Sequence, residues 1–233
     1  MKGSIHLVLV CTLISMLSSC TKESSTRNLS EQQKTLISQL RKEFPNVTFT
    51  PLPLENIDKG IKEENIEDVR AYFRAKPDTI NLDVSSIASN DGNVTTAKTA
   101  SGIYYYHKSA PIPATYTQLI GTAQISFSTI LSGGSLYNQI TSVGSMTSAL
   151  SITTYTLGIP GANQVVTYSL NDKNSSSVIQ NMGATVNLRW SGMLHEQKTW
   201  TIGGFPMVSG SNTSISVTDN FSAGSIPLFP PID

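Results

Sequence analysis

Cysteine is nearly absent from this chain: among 233 residues there are two, Cys11 and Cys20, and both lie near the N-terminus. From residue 21 onward there is no thiol at all. A disulfide, a dithiol redox centre or a thiolate metal site therefore cannot form within that part of the chain. This excludes thiol-based redox enzymes and small scaffolds stapled by disulfides.

Charge is scarce in the second half of the chain. Residues 1–99 hold 12 of the 16 basic and 12 of the 16 acidic side chains, which leaves 8 charged groups for residues 100–233. The four basic ones are Lys108, Lys173, Arg189 and Lys198. They are too sparse to neutralise a phosphate backbone, so nucleic acid is not expected as a partner.

Histidine is also scarce, and only His107 and His195 follow the first twenty residues. His195-Glu196 resembles the start of the zinc-protease motif HExxH, but Thr199 stands where the second histidine belongs. The surrounding pattern is that of strand and turn, so two ligands one helical turn apart cannot form. No metal site is predicted, and the pair is expected to lie exposed in a turn.

The sequence gives little support for a pair of catalytic carboxylates or for an activated serine. No serine lies in G-x-S-x-G, and the only acidic residues of the second half are Asp172, Glu196, Asp219 and Asp233. Enzyme activity is therefore the weaker hypothesis, and no cofactor is expected. A surface hydrolase that uses His107 or His195 as its base stays open as an alternative.

The N-terminus carries the most specific motif. Lys2 precedes a largely apolar stretch, residues 5–17, whose length suits a signal-peptide core better than a transmembrane span. The four residues at the end of this segment, Leu17-Ser18-Ser19-Cys20, resemble the lipobox of bacterial lipoproteins. This resemblance implies a signal peptide over residues 1–19 and a fatty-acylated Cys20, such as by palmitate, as a membrane anchor.

The residues after Cys20 bear on the destination of the protein. Thr21 occupies the position at which an aspartate retains lipoproteins in the inner membrane of well-studied Gram-negative systems. The resemblance therefore implies the outer membrane. Lys22-Glu23 partly resembles a short export signal for the cell surface, which favours the surface slightly over the periplasmic face.

Two helices are predicted in the charged segment, residues 29–99, which follows a polar tether over residues 20–28. Leu36, Ile37, Leu40 and Phe44 recur at helical spacing and predict a helix over residues 31–44, with Ser30 and Gln33 as its capping box. A second apolar stripe predicts another helix that ends before Pro77. That stripe consists of Ile66, Val69 and Phe73.

In residues 100–233 the apolar residues recur with a period of two. Val186, Leu188 and Trp190 alternate with polar residues, as do Ile215 and Val217, which predicts strands with one buried face. Roughly eight short strands in about 130 residues favour an antiparallel β-sandwich behind a small two-helix segment. The expected turns are Gly133-Gly134, residues 143–145, 158–161, 171–177 and 209–212.

Two further features are candidates for binding. Asn90-Asp91-Gly92-Asn93 offers oxygen ligands, but its composition is first of all that of a turn. Tyr104, Tyr105 and Tyr106 are the candidate ligand-binding residues, because neighbours on a strand face opposite sides and at least one ring must be outward. Trp190 and Trp200 fall on the apolar phase of their strands and are expected in the core.

The sequence thus predicts an outer-membrane lipoprotein that acts as a non-catalytic binding or accessory module at the cell envelope. Its ligand would be a glycan or another envelope protein. Besides the hydrolase, a structural subunit of a surface appendage that exchanges strands between chains is a further alternative.

Overall fold

A computed structural model describes residues 31–52, 64–85, 93–99, 101–159 and 162–228. The fold class predicted from the sequence is confirmed: two sheets face each other, and a small helical segment precedes them in the chain. Several sequence predictions lie outside the described residues: the signal peptide, Cys20, the tether, the Ser30 cap, residues 90–92 and Asp233.

Both predicted helices are present. Helix α1 is Glu31–Glu43 and buries Ile37 and Leu40, whereas α2 is Ile66–Ala75 and buries Val69 and Phe73. The side chain of Asn65 caps α2 by accepting a hydrogen bond of 3.0 Å from the backbone N–H of Glu67. Each helix is thus amphipathic, with its apolar stripe turned toward the sheet.

The strands form a six-stranded sheet, in the order β1-β10-β9-β8-β7 with β2 also paired to β10, and a four-stranded sheet, in the order β3-β4-β5-β6. All pairs are antiparallel except β2–β10. The strand bounds are β1 Val47–Pro51, β2 Thr79–Asp83, β3 Asn93–Thr99, β4 Ser101–Pro111, β5 Gln118–Ser132, β6 Ser135–Leu150, β7 Thr154–Ile159, β8 Ala162–Gln180, β9 Thr185–Ile202 and β10 Phe205–Ser222.

Strand β10 organises the six-stranded sheet. One of its edges pairs with β9 from Phe205 to Ser222. The opposite edge is shared, because β1 pairs with residues 207–211 and β2 pairs with residues 214–218. The charged segment therefore contributes strands to the sandwich, and the change of composition near residue 100 does not coincide with a structural division. Ladder hydrogen bonds join backbones and are indifferent to the charge of the side chains.

The core has two parts. The larger part lies between the sheets around Trp190, whose ring stacks with that of Tyr106 at 6.1 Å between centroids. The smaller part lies between the helices and the six-stranded sheet around Phe73 and Trp200. Both tryptophans are buried, with 0% and 2% of their surface exposed, which confirms their predicted place in the core.

The strands are longer than predicted, and this changes the assignment of several turns. Gly133-Gly134 forms the predicted hairpin turn between β5 and β6 with positive φ at both residues. Residues 143–145, 171–177 and 209–212, in contrast, lie inside β6, β8 and β10. The turn between β9 and β10 is instead Gly203-Gly204, which the sequence analysis did not single out.

Two of the misassigned segments are bulges. The register of β8 on β9 shifts between Asn171 and Asn174, and Asp172 there has a φ of 48°. In β6 the register on β5 shifts near Gly144, and Ser145 has a φ of 46°. A bulge uses the same small and polar residues as a turn, because both need an unusual backbone conformation at one residue. The composition alone therefore does not separate them.

Gly121 on β5 provides the space for the indole of Trp190 on the opposing sheet. A Cβ atom at this position would lie 2.7 Å from Cδ2 of Trp190. We expect Gly121→Ala to lower the free energy of unfolding by about 1–3 kcal/mol, because the packed core has no room for the added methyl group. The shift of the denaturant midpoint measures this loss.

Gly144→Ala is the matched control, since a Cβ there meets no atom within 4 Å. It should change the free energy of unfolding by no more than about 0.5 kcal/mol. Equal effects of the two substitutions would contradict the close approach of Gly121 to Trp190.

Candidate functional site

A buried carboxylate lies where the helices meet the sandwich. Glu196 is in phase with Leu194 and Trp200 on the inward face of β9, and only 2% of its surface is exposed. The hydroxyl of Tyr72 donates a hydrogen bond to Oε1 of Glu196, and Nζ of Lys76 lies 2.9 Å from the same oxygen. Tyr72 lies in the last turn of α2 and Lys76 directly follows the helix, so both side chains reach Glu196 from the same end of α2.

A second lysine stands on the aromatic side of this cluster. Nζ of Lys198 lies 4.1 Å from the ring centroid of Tyr72 and 3.9 Å from that of Trp200. Such cation–π contacts stabilise a positive charge away from bulk water. Burial nevertheless lowers the pKa of Lys198, and the charge of Glu196 opposes this shift.

The phenol of Tyr72 is held in its protonated form. Its pKa is raised far above the ordinary value, chiefly by burial and then by the negative charge of Glu196. Tyr72 therefore acts as a permanent hydrogen-bond donor to Glu196. Lys76 also donates a hydrogen bond of 2.6 Å to Oγ of Ser211, so its position is set from two sides.

The other carboxylate oxygen, Oε2 of Glu196, is buried and accepts no hydrogen bond from any residue that the structure describes. Glu196 also lines a pocket of about 90 Å³, which we call the Glu196 pocket. Its walls come from the end of α2, the start of β2, the β4–β5 connection, β9 and β10. They comprise Tyr72, Ala75, Lys76, Pro77, Ile80, Pro113, Ala114, Thr115, Leu194 and Thr213.

A pair of stacked tyrosines includes Tyr116, the residue that follows Thr115 of the pocket wall in the sequence. The rings of Tyr116 and Tyr155 stack at 4.2 Å between centroids, and Tyr116 is 44% exposed although it adjoins Thr115 of the pocket. The backbone N–H of Tyr116 donates a 3.3 Å hydrogen bond to the hydroxyl of Tyr168. Burial raises the pKa of Tyr168 to about 12. The charges of Tyr168 and Tyr116 make minor contributions to the raised pKa of Tyr72.

A second buried carboxylate, Asp219, lies in the core between the sheets. The hydroxyl of Tyr106 donates to its Oδ2, and Nζ of Lys108 lies 3.7 Å from that oxygen. The backbone N–H of Asn220 donates a 2.9 Å hydrogen bond to Oδ1. Burial raises the pKa of Asp219 to about 6 and lowers the pKa of Lys108.

The three predicted ligand-binding tyrosines do not form one platform. Tyr104 and Tyr106 point into the core, with 5% and 2% of their surface exposed, and Tyr104 stacks on Phe221. Tyr105 alone faces outward, with 42% exposed. This alternation follows from the period of two along β4, and it corrects the assignment of Tyr104 and Tyr106 to a binding surface. Binding at Tyr105 stays a prediction.

The two histidines lie on the outer faces of different sheets. His107 is exposed on β4, and Nδ1 of His195 on β9 lies 2.7 Å from Oδ1 of Asn212. His195 and its neighbour Glu196 point to opposite sides of the same strand, so they cannot act on one ligand. Within the described residues, no group of three histidine, cysteine or acidic side chains is placed to hold a metal ion.

Glu196 is the functional residue that the sequence analysis misplaced, since an exposed turn was expected there. The available signal was the period of two, because Leu194, Glu196 and Trp200 continue the inward phase of Trp190. The contribution of α2 was not foreseeable from the strand, since Tyr72 and Glu196 are 124 residues apart in sequence.

Comparisons of the chain with protein-family models, with curated proteins and with solved structures found no match. Neither of the two described helices combines the length and the apolar character needed to cross a bilayer.

Lys76 compensates the charge of Glu196, and its removal should be costly. We expect Lys76→Met to lower the free energy of unfolding by about 2–3 kcal/mol, because it leaves a buried carboxylate without its cation. Lys34→Met is the matched control, since Lys34 pairs with Glu31 at 2.8 Å on an exposed surface of α1. An exposed pair of this kind contributes about 0.5 kcal/mol or less.

Urea denaturation of both variants measures the difference. A loss of stability in Lys76→Met no larger than that in Lys34→Met would show that Lys76 does not compensate Glu196.

Proposed function

We propose that this protein is a lipid-anchored, non-catalytic module of the bacterial cell envelope that binds a glycan in the Glu196 pocket. The observation that carries the proposal is Oε2 of Glu196, a buried carboxylate oxygen without a hydrogen-bond donor among the described residues, on a side chain that lines a pocket. A buried acceptor without a partner is costly to the folded protein. A ligand that supplies a donor removes this cost.

The charges around the pocket favour an uncharged donor. Lys76 already neutralises Glu196, and Lys198 adds a second cation nearby. A ligand cation would therefore gain little attraction, whereas a hydroxyl or amide N–H satisfies Oε2 without adding charge. Sugars present such groups on most of their ring carbons, which supports the glycan over a basic peptide.

The size of the pocket indicates which part of a glycan enters it. A water molecule takes up about 30 Å³ in the liquid, and pockets for drug-sized ligands occupy about 300–1,000 Å³. A volume of about 90 Å³ suits a ring substituent, such as a hydroxymethyl or N-acetyl group. The ring itself would stack on the exposed face of Tyr116, as apolar sugar faces do on aromatic side chains.

The anchor supplies the second part of the proposal. An acyl group on Cys20 and the tether over residues 20–28 would hold the domain at the outer membrane. The cell surface is favoured over the periplasmic face. Confinement of this kind raises the effective concentration of a weak binding site near its ligand. A pocket that binds one substituent is therefore sufficient to retain the protein on an envelope polysaccharide.

The hydrolase alternative receives no comparable support. Its candidate bases, His107 and His195, lie on different sheets, and the described contact of His195 is to the amide of Asn212. A general base needs a substrate pocket beside it. The Glu196 pocket, in contrast, has a carboxylate but no histidine among the described residues of its wall.

Blocking the pocket tests the proposed site. Ala75 lines the pocket at the end of α2, so Ala75→Phe places a ring at its mouth and should weaken glycan binding about tenfold or more. Ala71→Phe is the matched control, because Ala71 is exposed one helical turn earlier and does not line the pocket. Saturation-transfer NMR with purified di- and trisaccharides carrying hydroxymethyl or N-acetyl groups measures the binding.

Tyr116→Ala tests the stacking contact in the same assay. It should weaken binding by about 2–12-fold, the equivalent of one aromatic contact, and should leave the fold intact because the ring is partly exposed. Binding that Ala75→Phe leaves unchanged would refute the Glu196 pocket as the site. If a peptide from an envelope protein binds with the same sensitivity to Ala75→Phe and the saccharides do not, the ligand is a protein.

Replacing the lipidation residue tests the anchor independently of the ligand. Cys20→Ser should abolish fatty-acid labelling and move the protein from the membrane to the soluble fraction, because the thiol is the acylation site. Cys11→Ser is the control, since this residue lies within the segment proposed to be removed. Unchanged labelling of Cys20→Ser would overturn the anchor.

A further inference from the structure

Lys108 and Asp219 meet in the interior from opposite sheets. Lys108 lies on β4 of the four-stranded sheet, and Asp219 lies on β10 of the six-stranded sheet. Nζ of Lys108 is 3.7 Å from Oδ2 of Asp219, and the two side chains are 5% and 4% exposed. An amine and a carboxyl group are thus held together in a part of the core from which water is largely excluded.

The core does not favour the charged forms of this pair. A buried ion pair loses hydration that its own attraction only partly replaces. Burial accordingly lowers the pKa of Lys108 and raises the pKa of Asp219 to about 6. Both shifts increase the share of neutral amine and neutral carboxylic acid, which are the reactive forms of the two groups.

The other contacts of Asp219 match the demands of acyl transfer. The backbone N–H of Asn220 donates to Oδ1 over 2.9 Å, where negative charge develops when the carboxyl carbon is attacked. The hydroxyl of Tyr106 donates to Oδ2, the oxygen nearer to Lys108. The donor at Oδ1 stabilises the developing negative charge, and the donor at Oδ2 can supply a proton to that oxygen.

We propose that Lys108 and Asp219 condense to an intramolecular amide bond that joins the two sheets covalently. In this step Nζ of the neutral lysine attacks Cγ of the protonated carboxyl group, and a C–N bond forms. The bond between Cγ and Oδ2 then breaks: Oδ2, which carries the carboxyl proton, takes a second proton from the Tyr106 hydroxyl and leaves as water. The nitrogen gives up one proton, which restores the Tyr106 hydroxyl. The step consumes no oxidant, reductant or other reactant.

The amine of Lys108 must move before it can attack the carboxyl carbon of Asp219. Reacting atoms in a near-attack arrangement are about 3–3.5 Å apart, and Nζ lies 3.7 Å from Oδ2, so the lysine must move its amine from Oδ2 toward Cγ. Its long, flexible side chain allows this without a shift of β4. The product would close a loop between positions 108 and 219 and restrict the unfolded chain as a disulfide does, in a protein whose cysteines both lie in its first twenty residues.

A tryptic digest of the full processed protein tests the proposal. Trypsin cleaves after lysine only while the amine is free, so the amide should block cleavage at Lys108. The expected product joins peptides 99–173 and 199–233, with a mass lower than their sum by one water molecule. Lys173 is exposed in β8 and serves as the internal control for complete digestion. Tandem mass spectrometry should locate the link at Lys108 and Asp219.

The opposite result is equally clear. Separate peptides 99–108 and 109–173 from folded wild-type protein, with an unmodified Lys108, would overturn the proposal without any variant. Lys108→Met should remove the joined product, and a link that persists in this variant would also overturn it. Tyr106→Phe keeps the ring but not the proton, and should slow the appearance of the joined peptide about 100-fold in newly folded protein. An unchanged rate would refute the role of Tyr106.

Discussion

The pairing of β10 on both of its edges is the constraint on which the rest of the structure depends. One edge is satisfied along its whole length by β9, whereas the other is divided between β1 and β2. Helix α2 leads directly into β2, so this division places α2 beside the inward face of β9. The contact of Tyr72 and Lys76 with Glu196, and hence the pocket, follows from that placement. Backbone hydrogen bonds between distant segments thus bring the side chains of the site together.

The molecule buries two carboxylates in the same chemical manner. Each receives a hydrogen bond from a tyrosine hydroxyl and lies against a lysine: Tyr72 and Lys76 at Glu196, and Tyr106 and Lys108 at Asp219. Tyr106 and Lys108 are two residues apart on β4 and share one face, whereas Tyr72 lies in the last turn of α2 and Lys76 directly follows that helix. The two sites differ in their surroundings. Glu196 lines a pocket, and its Oε2 has no donor in the part of the chain that the structure describes, whereas Asp219 lies between the sheets with donors on both oxygens. This difference is why we infer ligand binding at one and condensation at the other.

Local periodicity was sufficient to predict the two helices and the inward phase of the strands, including the burial of Trp190 and Trp200. It did not separate bulges from turns. Residues 171–177 and 143–145 have turn composition but lie in long strands, because partner strands supply a continuous ladder through them. Glu196 was misplaced for a related reason: polarity suggested exposure, whereas its strand phase and its distant partners Tyr72 and Lys76 allow burial.

The sequence by itself determined the fold class, the helix positions, the faces that are apolar and the lipobox-like motif at its start, because each of these is written in neighbouring residues. Only the tertiary structure decided which strands pair with β10, that β1, β2 and β3 of the charged segment belong to the sheets of the sandwich, and that Tyr105 is the exposed residue between Tyr104 and Tyr106. It also decided the meeting of Lys108 with Asp219. Such contacts join residues far apart in the chain, and their free energy comes from burial and pairing that no local pattern records.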